Sequence, residues 1–298
     1  MISIRRAVSW TRRGFVITSL SALLSALGVS GCASEDPSIW KRVDGKWSYD
    51  RTPFEAADPA TLKAIDGQFA KDAVQAYYRG IAVTGSDAAS FEVLSEHEAR
   101  DRRAVYWGET YRKGQDYYTV KYARIAPIVD ADPAAYRVLK YDYGSDSKRV
   151  FKDGHLLRGI RDPASFGVFT PRLSRDAKRA YFEDIEIPES DGASFEIADV
   201  HDDAWVRDGK HAWHVRHGQP ESGQPVKREV RVLVGANAKA LRPLGQEYAT
   251  DGVRVWWRGN VLADVDMASF LPIEGDSVID ARDARGAFMR GRRPKHNP

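Results

Sequence analysis

Of 298 residues only Cys32 is a cysteine, so no intrachain disulfide is available and the fold must be held by burial, which this length permits. No Gly-x-Ser-x-Gly run occurs, which removes the nucleophile-elbow signature. Acidic residues are missing from positions 1–31, which carry Arg5, Arg6, Arg12 and Arg13. Taking those four from 45 basic residues leaves 41 against 42 acids, so the chain from Cys32 onward is close to neutral at −1. Such a chain lacks the basic stripe that phosphate-backbone binding requires, and nucleic acid is not expected as a partner. The apolar run from Phe15 to Val29 is broken by Thr18, Ser19, Ser21 and Ser25. Its length and small-residue end are those of a secretory signal rather than a spanning helix.

The amino-terminus is the most specific local signal. Thr11-Arg12-Arg13-Gly14-Phe15-Val16 resembles the twin-arginine export motif, with Arg12 and Arg13 as the pair, although Ile17 stands where Lys is common. Export by the general route remains the alternative. Val29-Ser30-Gly31-Cys32 resembles a bacterial lipobox. That resemblance implies cleavage before Cys32, lipidation of Cys32 and anchoring to the membrane through acyl chains, each buried methylene contributing about 0.8 kcal/mol. Ala33 follows, not the Asp that retains lipoproteins at the inner membrane, so the expected location is the outer membrane, facing the periplasm.

Aromatics are plentiful, with 8 Trp, 13 Tyr and 11 Phe, and they recur in register. Eight anchors, Asp44, Asp72, Asp101, Asp146, Asp176, Asp208, Asp251 and Asp283, each precede an aromatic by five residues. Those aromatics are Tyr49, Tyr77, Tyr106, Phe151, Tyr181, Trp213, Trp256 and Phe288, each preceded by a small or β-branched residue. A second landmark of the type Asp-x-x-Ser-Phe starts at Asp58, Asp87, Asp132, Asp162, Asp191, Asn237 and Asp266. From its apolar end to the next anchor is 10 residues in five copies and 13 in two. Fixed-period self-similarity marks a repeat architecture.

The chemistry of the unit follows from residue type. The anchor Asp accepts a turn amide and closes a hairpin, whose incoming strand is the stretch before it, such as Phe91–Ala99. Alternation puts the constant aromatic on one face and its small neighbour on the other. Asp-Pro at 58–59, 132–133 and 162–163 starts a single helical turn. Burial of each aromatic contributes on the order of 2–3 kcal/mol. The fold class is therefore all-β: tandem antiparallel hairpin repeats with short helical turns, either an open solenoid or closed like a propeller. The expected organisation is a signal peptide at 1–31, a lipid-attachment cysteine and tether at 32–43, a repeat domain at 44–290 and a basic disordered tail at 291–298. Insertions near 109–126 and 216–232 each resemble an extra hairpin at one fixed point of the repeat, and so fall on one edge of the array.

Lys71-Asp72, Ala76-Tyr77-Tyr78-Arg79-Gly80 and Gly85-Ser86-Asp87 with Ser90-Phe91-Glu92-Val93-Leu94 resemble the bacterial DKNYY-repeat proteins. The resemblance spans roughly Asp44 to Met289, in degenerate copies: Trp107, Lys152, Phe182, His214 and Trp257 replace the second Tyr. It implies a repeat architecture and supplies no catalytic residues.

Candidate chemistry is sparse. One turn Asp and one cap Asp per unit fall short of the six or more oxygens of a calcium site. His211, His214 and His217 have metal-ligand spacing, yet on a strand His214 faces away from the other two. Tyr117, Tyr118 and Tyr122, with Trp107 at the root of the same insertion, mix aromatic faces with Arg112, Lys113, Lys121 and Arg124 and suit sugar or peptide ligands. No catalytic residue and no cofactor is assigned. Function is expected where the copies differ: the two insertions and the variable position held by Tyr78. The leading expectation is a non-catalytic lipoprotein that binds or scaffolds envelope protein or cell-wall glycan. The alternatives are an envelope glycan hydrolase and a metal-binding accessory protein.

Overall fold

The computed structural model describes residues 39–218, 226–275 and 278–294. Arg12, Arg13 and Cys32 lie outside these residues, as do 219–225 of the second insertion. The described chain forms eight small antiparallel sheets in sequence order, at 40–54, 63–83, 92–127, 137–157, 167–186, 196–232, 242–261 and 271–288. The first and last have three strands and the other six have four. All-β hairpin repeats are thus the architecture. Seven apolar clusters join each sheet to the next, and among the described residues none joins the eighth sheet to the first, so the array is open.

The unit is larger than the two strands expected from sequence. In the second sheet, Lys63–Ala64, Phe69–Lys71, Ala76–Tyr78 and Ile81–Val83 pair in order. The stretch before an anchor from Asp72 onward is itself a hairpin, and before Asp72, Asp101 and Asp176 a side chain six residues upstream turns it. Asp66 Oδ1 accepts from the Gln68 and Phe69 amides at 2.7 Å each. Ser95 Oγ accepts from Glu98 N, and Thr170 Oγ1 from Leu173 N, both at 3.1 Å. Phe91–Ala99 is accordingly split between Glu92–Val93 and Glu98–Arg100 rather than forming one strand. The third and fourth strands are joined by two-residue turns such as Arg79-Gly80 and Arg258-Gly259, with positive φ at both positions. This is the backbone hand that matches strand twist.

The anchor aspartates turn the middle hairpin as expected. Asp176 Oδ1 accepts from Lys178 N at 2.7 Å and Arg179 N at 2.8 Å. Asp72, Asp101, Asp146, Asp208 and Asp251 repeat this pair of bonds. Asp44 does not, being exposed at an ordinary hairpin turn with φ +51°. The other carboxylate oxygen makes a longer link. Asp176 Oδ2 accepts from Asp162 N and Asp72 Oδ2 from Asp58 N, each at 2.8 Å, and the remaining anchors from Asp101 to Asp283 bind the second-landmark amide in the same way. Three constant tyrosines add a hydroxyl to that oxygen, Tyr77 and Tyr181 at 2.6 Å and Tyr106 at 2.9 Å.

The second landmark is a turn locked to the hairpin behind it. Ser165 Oγ donates to Asp162 Oδ2 and accepts from Ala177 N, both at 2.8 Å. Of these turns, Pro163–Ser165 and Ala238–Ala240 are one turn of 3-10 helix, while the turns at Asp58 and Asp132 make a single i to i+3 bond. A cation just before the anchor grips the next turn from the other side. Lys71 Nζ donates to the carbonyls of Ala88 and Phe91, Arg100 to Pro133 and Tyr136, Arg175 to Gly192 and Ala193, and Arg207 to Ala238, Lys239 and Leu241.

Both faces of the third strand are buried. Tyr77 packs toward the first sheet, and its neighbours Ala76 and Tyr78 pack toward the third. The constant aromatic faces the preceding sheet in every later unit, through to Phe288. Tyr78 is therefore no variable surface position. It has 0% exposure, and burial pushes its hydroxyl up to about 12.

Two outcomes test this scaffold. Trp256 is 1% exposed between the sixth and seventh sheets, and Trp256→Ala should cost about 3–5 kcal/mol in denaturant titration. Burial pushes the anchor carboxyls up, but their hydrogen bonds outweigh it, so Asp72, Asp101, Asp176, Asp251 and Asp283 lie below the ordinary 3.8. A depressed carboxyl contributes stability in full above its unfolded pKa and loses it as pH falls through the folded one. Stability measured against pH should therefore drop below about pH 4, and Asp176→Asn should be less stable near neutrality with a shallower acid limb.

Candidate functional site

The insertions lengthen existing strands instead of adding a hairpin. Val105–Tyr111 and Tyr122–Pro127 are the third and fourth strands of the third sheet, paired from Tyr106 opposite Pro127 to Tyr111 opposite Tyr122. Ala212–His217 and Arg228–Val232 do the same in the sixth sheet. Both project from the edge where third strands turn into fourth strands, so the two insertions share one edge of the array.

Three cavities line that edge. One of about 400 Å³ lies beside the turns at Asp50 and Arg79-Gly80 and is closed by Lys121 and Ala123 of the first insertion. One of about 350 Å³ lies between the turns at Asp153 and Glu183-Asp184 and Arg228 of the second insertion. The largest, about 650 Å³, is lined by Arg216 and Arg231 of the sixth sheet, the Trp257–Asp264 stretch of the seventh, and Phe288 with Arg290–Arg293 after the eighth.

The candidate aromatic residues divide. Tyr118 is 89% exposed and Tyr117 51%, edge to face at 5.2 Å. Tyr122 stacks on Tyr111 at 5.6 Å, carries Lys113 at 4.5 Å over its ring and donates its hydroxyl to Asp116 at 2.9 Å. Trp107, at the other end of that strand from Tyr111, packs into the interface with the fourth sheet, close against Gly154. It is not part of the Tyr117 and Tyr118 surface.

The histidines do not converge. His214 is buried against Trp205, ring centroids 4.5 Å apart, on the face toward the seventh sheet. His217 lies near Phe182 of the fifth sheet and bonds Glu183 at 2.8 Å, while His211 precedes the strand, 5.7 Å from Trp213. Among the described residues no three His, Cys, Asp or Glu side chains gather to hold a metal ion. Burial, together with Arg216, Arg231 and Arg258, pushes His214 down to about 3 and keeps it neutral.

The basic segment at 291–298 was expected to be disordered. Its start is placed instead: Met289 and Arg292 pair their backbones, Gly291 N donates to Tyr248 Oη at 3.2 Å, and Gly291 leaves no room for a Cβ against the Trp257 ring. The arginine-lined cavity is not legible in the sequence because its arginines come from the sixth sheet, the seventh and the turn after the eighth, and no single run displays them. The recurring Arg-Gly and Asp-Gly pairs at 79–80, 153–154 and 258–259 were the available signal for the edge itself.

No curated protein and no solved structure matches the chain. The DKNYY family model matches residues 111–291, more than half of its length, over the third to eighth sheets. The first two sheets precede that match and repeat its anchor and core geometry from Asp72 onward. With the repeated aspartates, the paired aromatics and this match in agreement, the chain belongs to the DKNYY family.

Proposed function

We propose that the chain is an envelope-anchored, non-catalytic lipoprotein that binds or scaffolds protein or cell-wall ligands along one edge of its array. The observation that carries the reading is the coincidence of both insertions and three cavities on that edge. The recurring parts of the repeat are occupied elsewhere: anchor aspartates hold turns, and the constant aromatics fill interfaces. What remains for a partner is the variable edge, where Tyr117 and Tyr118 are exposed beside Lys113 and Arg112. Aromatic faces with cationic rims suit glycan or peptide surfaces. Repeat arrays present extended surfaces of this kind. The anchor rests on the lipobox-like Val29–Cys32 and the arginine pair Arg12-Arg13.

Cys32→Ala should move the protein from the membrane fraction to the soluble fraction on cell fractionation, and retention of the variant in membranes would contradict lipid anchoring. Tyr117→Ala/Tyr118→Ala should leave thermal stability unchanged and weaken co-sedimentation with purified cell-wall sacculi or retention of envelope proteins by roughly tenfold. Undiminished binding by that variant would remove the insertion from the ligand surface.

A further inference from the structure

The cavity beside the eighth sheet brings six arginines together: Arg216, Arg231, Arg258, Arg290, Arg292 and Arg293. Four carboxylates stand against them. Arg216 and Arg231 share Glu229 at 2.9 Å and 3.1 Å, Arg258 pairs with Glu247, Arg293 pairs with Asp283, and Asp264 lies on the wall. Six cations less four anions leaves two positive charges. Arg290 and Arg292 are the two of the six whose side chains make no ion pair or hydrogen bond among the described residues.

The backbone turn beneath these exposed side chains is held in place. Arg290 has φ +49°, and the turn that carries it is fixed by the Met289 to Arg292 pairing and by Gly291 against Trp257. Arg293 donates to the Asp264 carbonyl at 2.9 Å and lies 4.3 Å over the Phe288 ring, yet its Nη1 is buried without a partner. A buried unpaired guanidinium hydrogen is costly to leave unmade.

We propose that this cavity is a binding site for a phosphoryl dianion carrying an organic body. The charge matches: two uncommitted guanidinia against two negative charges. The directions match as well. Donors reach the space from the sixth sheet, from the seventh and from the terminal turn, which suits three oxygens in a tetrahedral group better than the two coplanar oxygens of a carboxylate. The volume of about 650 Å³ exceeds what a bare phosphate fills, and Trp257, Leu262 and Phe288 offer apolar wall for the body of the ligand. The site does not depend on the chain being lipid-anchored, nor on Tyr117 and Tyr118.

The test is calorimetric titration of the full chain with phenyl phosphate at low ionic strength. Saturable binding is expected, weakening as salt is added. Arg290→Ala/Arg292→Ala should weaken it by at least about tenfold with the melting temperature unchanged, and Lys239→Ala, an exposed cation elsewhere, should leave it intact. Absence of saturable binding at millimolar phenyl phosphate, equal binding by the double variant, or phthalate binding as tightly as phenyl phosphate would each overturn the assignment. A second arm identifies the source of the phosphoryl group, using full chain with Cys32→Ala so that acylation does not mask binding. Co-sedimentation with vesicles containing phosphatidic acid, a phosphomonoester lipid, that is lost in the added double variant assigns a lipid headgroup. Phenyl phosphate binding without vesicle binding assigns a soluble phosphate ester. Either result leaves the phosphoryl site standing.

Discussion

A carboxylate out of contact with water stays ionised only when several donors converge on it, and the whole array depends on one such group per unit. Asp176 is 1% exposed and accepts from five residues, two of them, Arg161 and Asp162, at the turn that precedes its sheet. Remove that carboxylate and amides on both turns lose their acceptor together. At four other joints the equivalent turn also offers its carbonyls to the Arg or Lys of the preceding unit, from Lys71, Arg100, Arg175 and Arg207. The turns at Asp87, Asp132, Asp191 and Asn237 are thus held at the amide end by an anion and at the carbonyl end by a cation, the arrangement that backbone partial charges favour. The ends of the array obey the same logic. Among the described residues Asp44 holds no incoming turn and Arg282 of the last sheet grips no outgoing one, and both are exposed.

Apolar packing follows from this clamp. No sheet of two- and three-residue strands buries a core alone, and isolated hairpins are at best marginal. The clamp sets consecutive sheets face to face, so that Tyr77 fills one interface and Tyr78 the next. Stability is then a sum over neighbours, as expected for a linear array.

How much of this was legible follows from the range of each interaction. Asp72 to Tyr77 is a local relation, and its spacing recurs in the chain, so the middle hairpin and the buried aromatic could be read directly. The turn at Asp66, Ser95 or Thr170 uses three residue types for one job, and the two-residue edge strands are too short to show alternation. The four-stranded sheet was therefore hidden. Tyr78 looked variable because it is paired with a different neighbour in each interface, and an isolated hairpin gives no sign that its second face is covered. The arginine cavity was the least legible: Arg231, Arg258 and Arg290 are brought together only by the stacking of three sheets.

The two clamps point in opposite directions, carboxylate backward and cation forward; the carboxylate recurs at all seven joints and the cation at four of them. An added or lost internal unit would meet the same donors and acceptors as the unit it replaced. Copy number can then drift in evolution without any new interface being invented. What such drift alters is distance: the third and sixth sheets, which carry the two insertions, and the arginine-lined end would be moved apart or together by one whole step, making unit number a ruler for whatever lies along the edge.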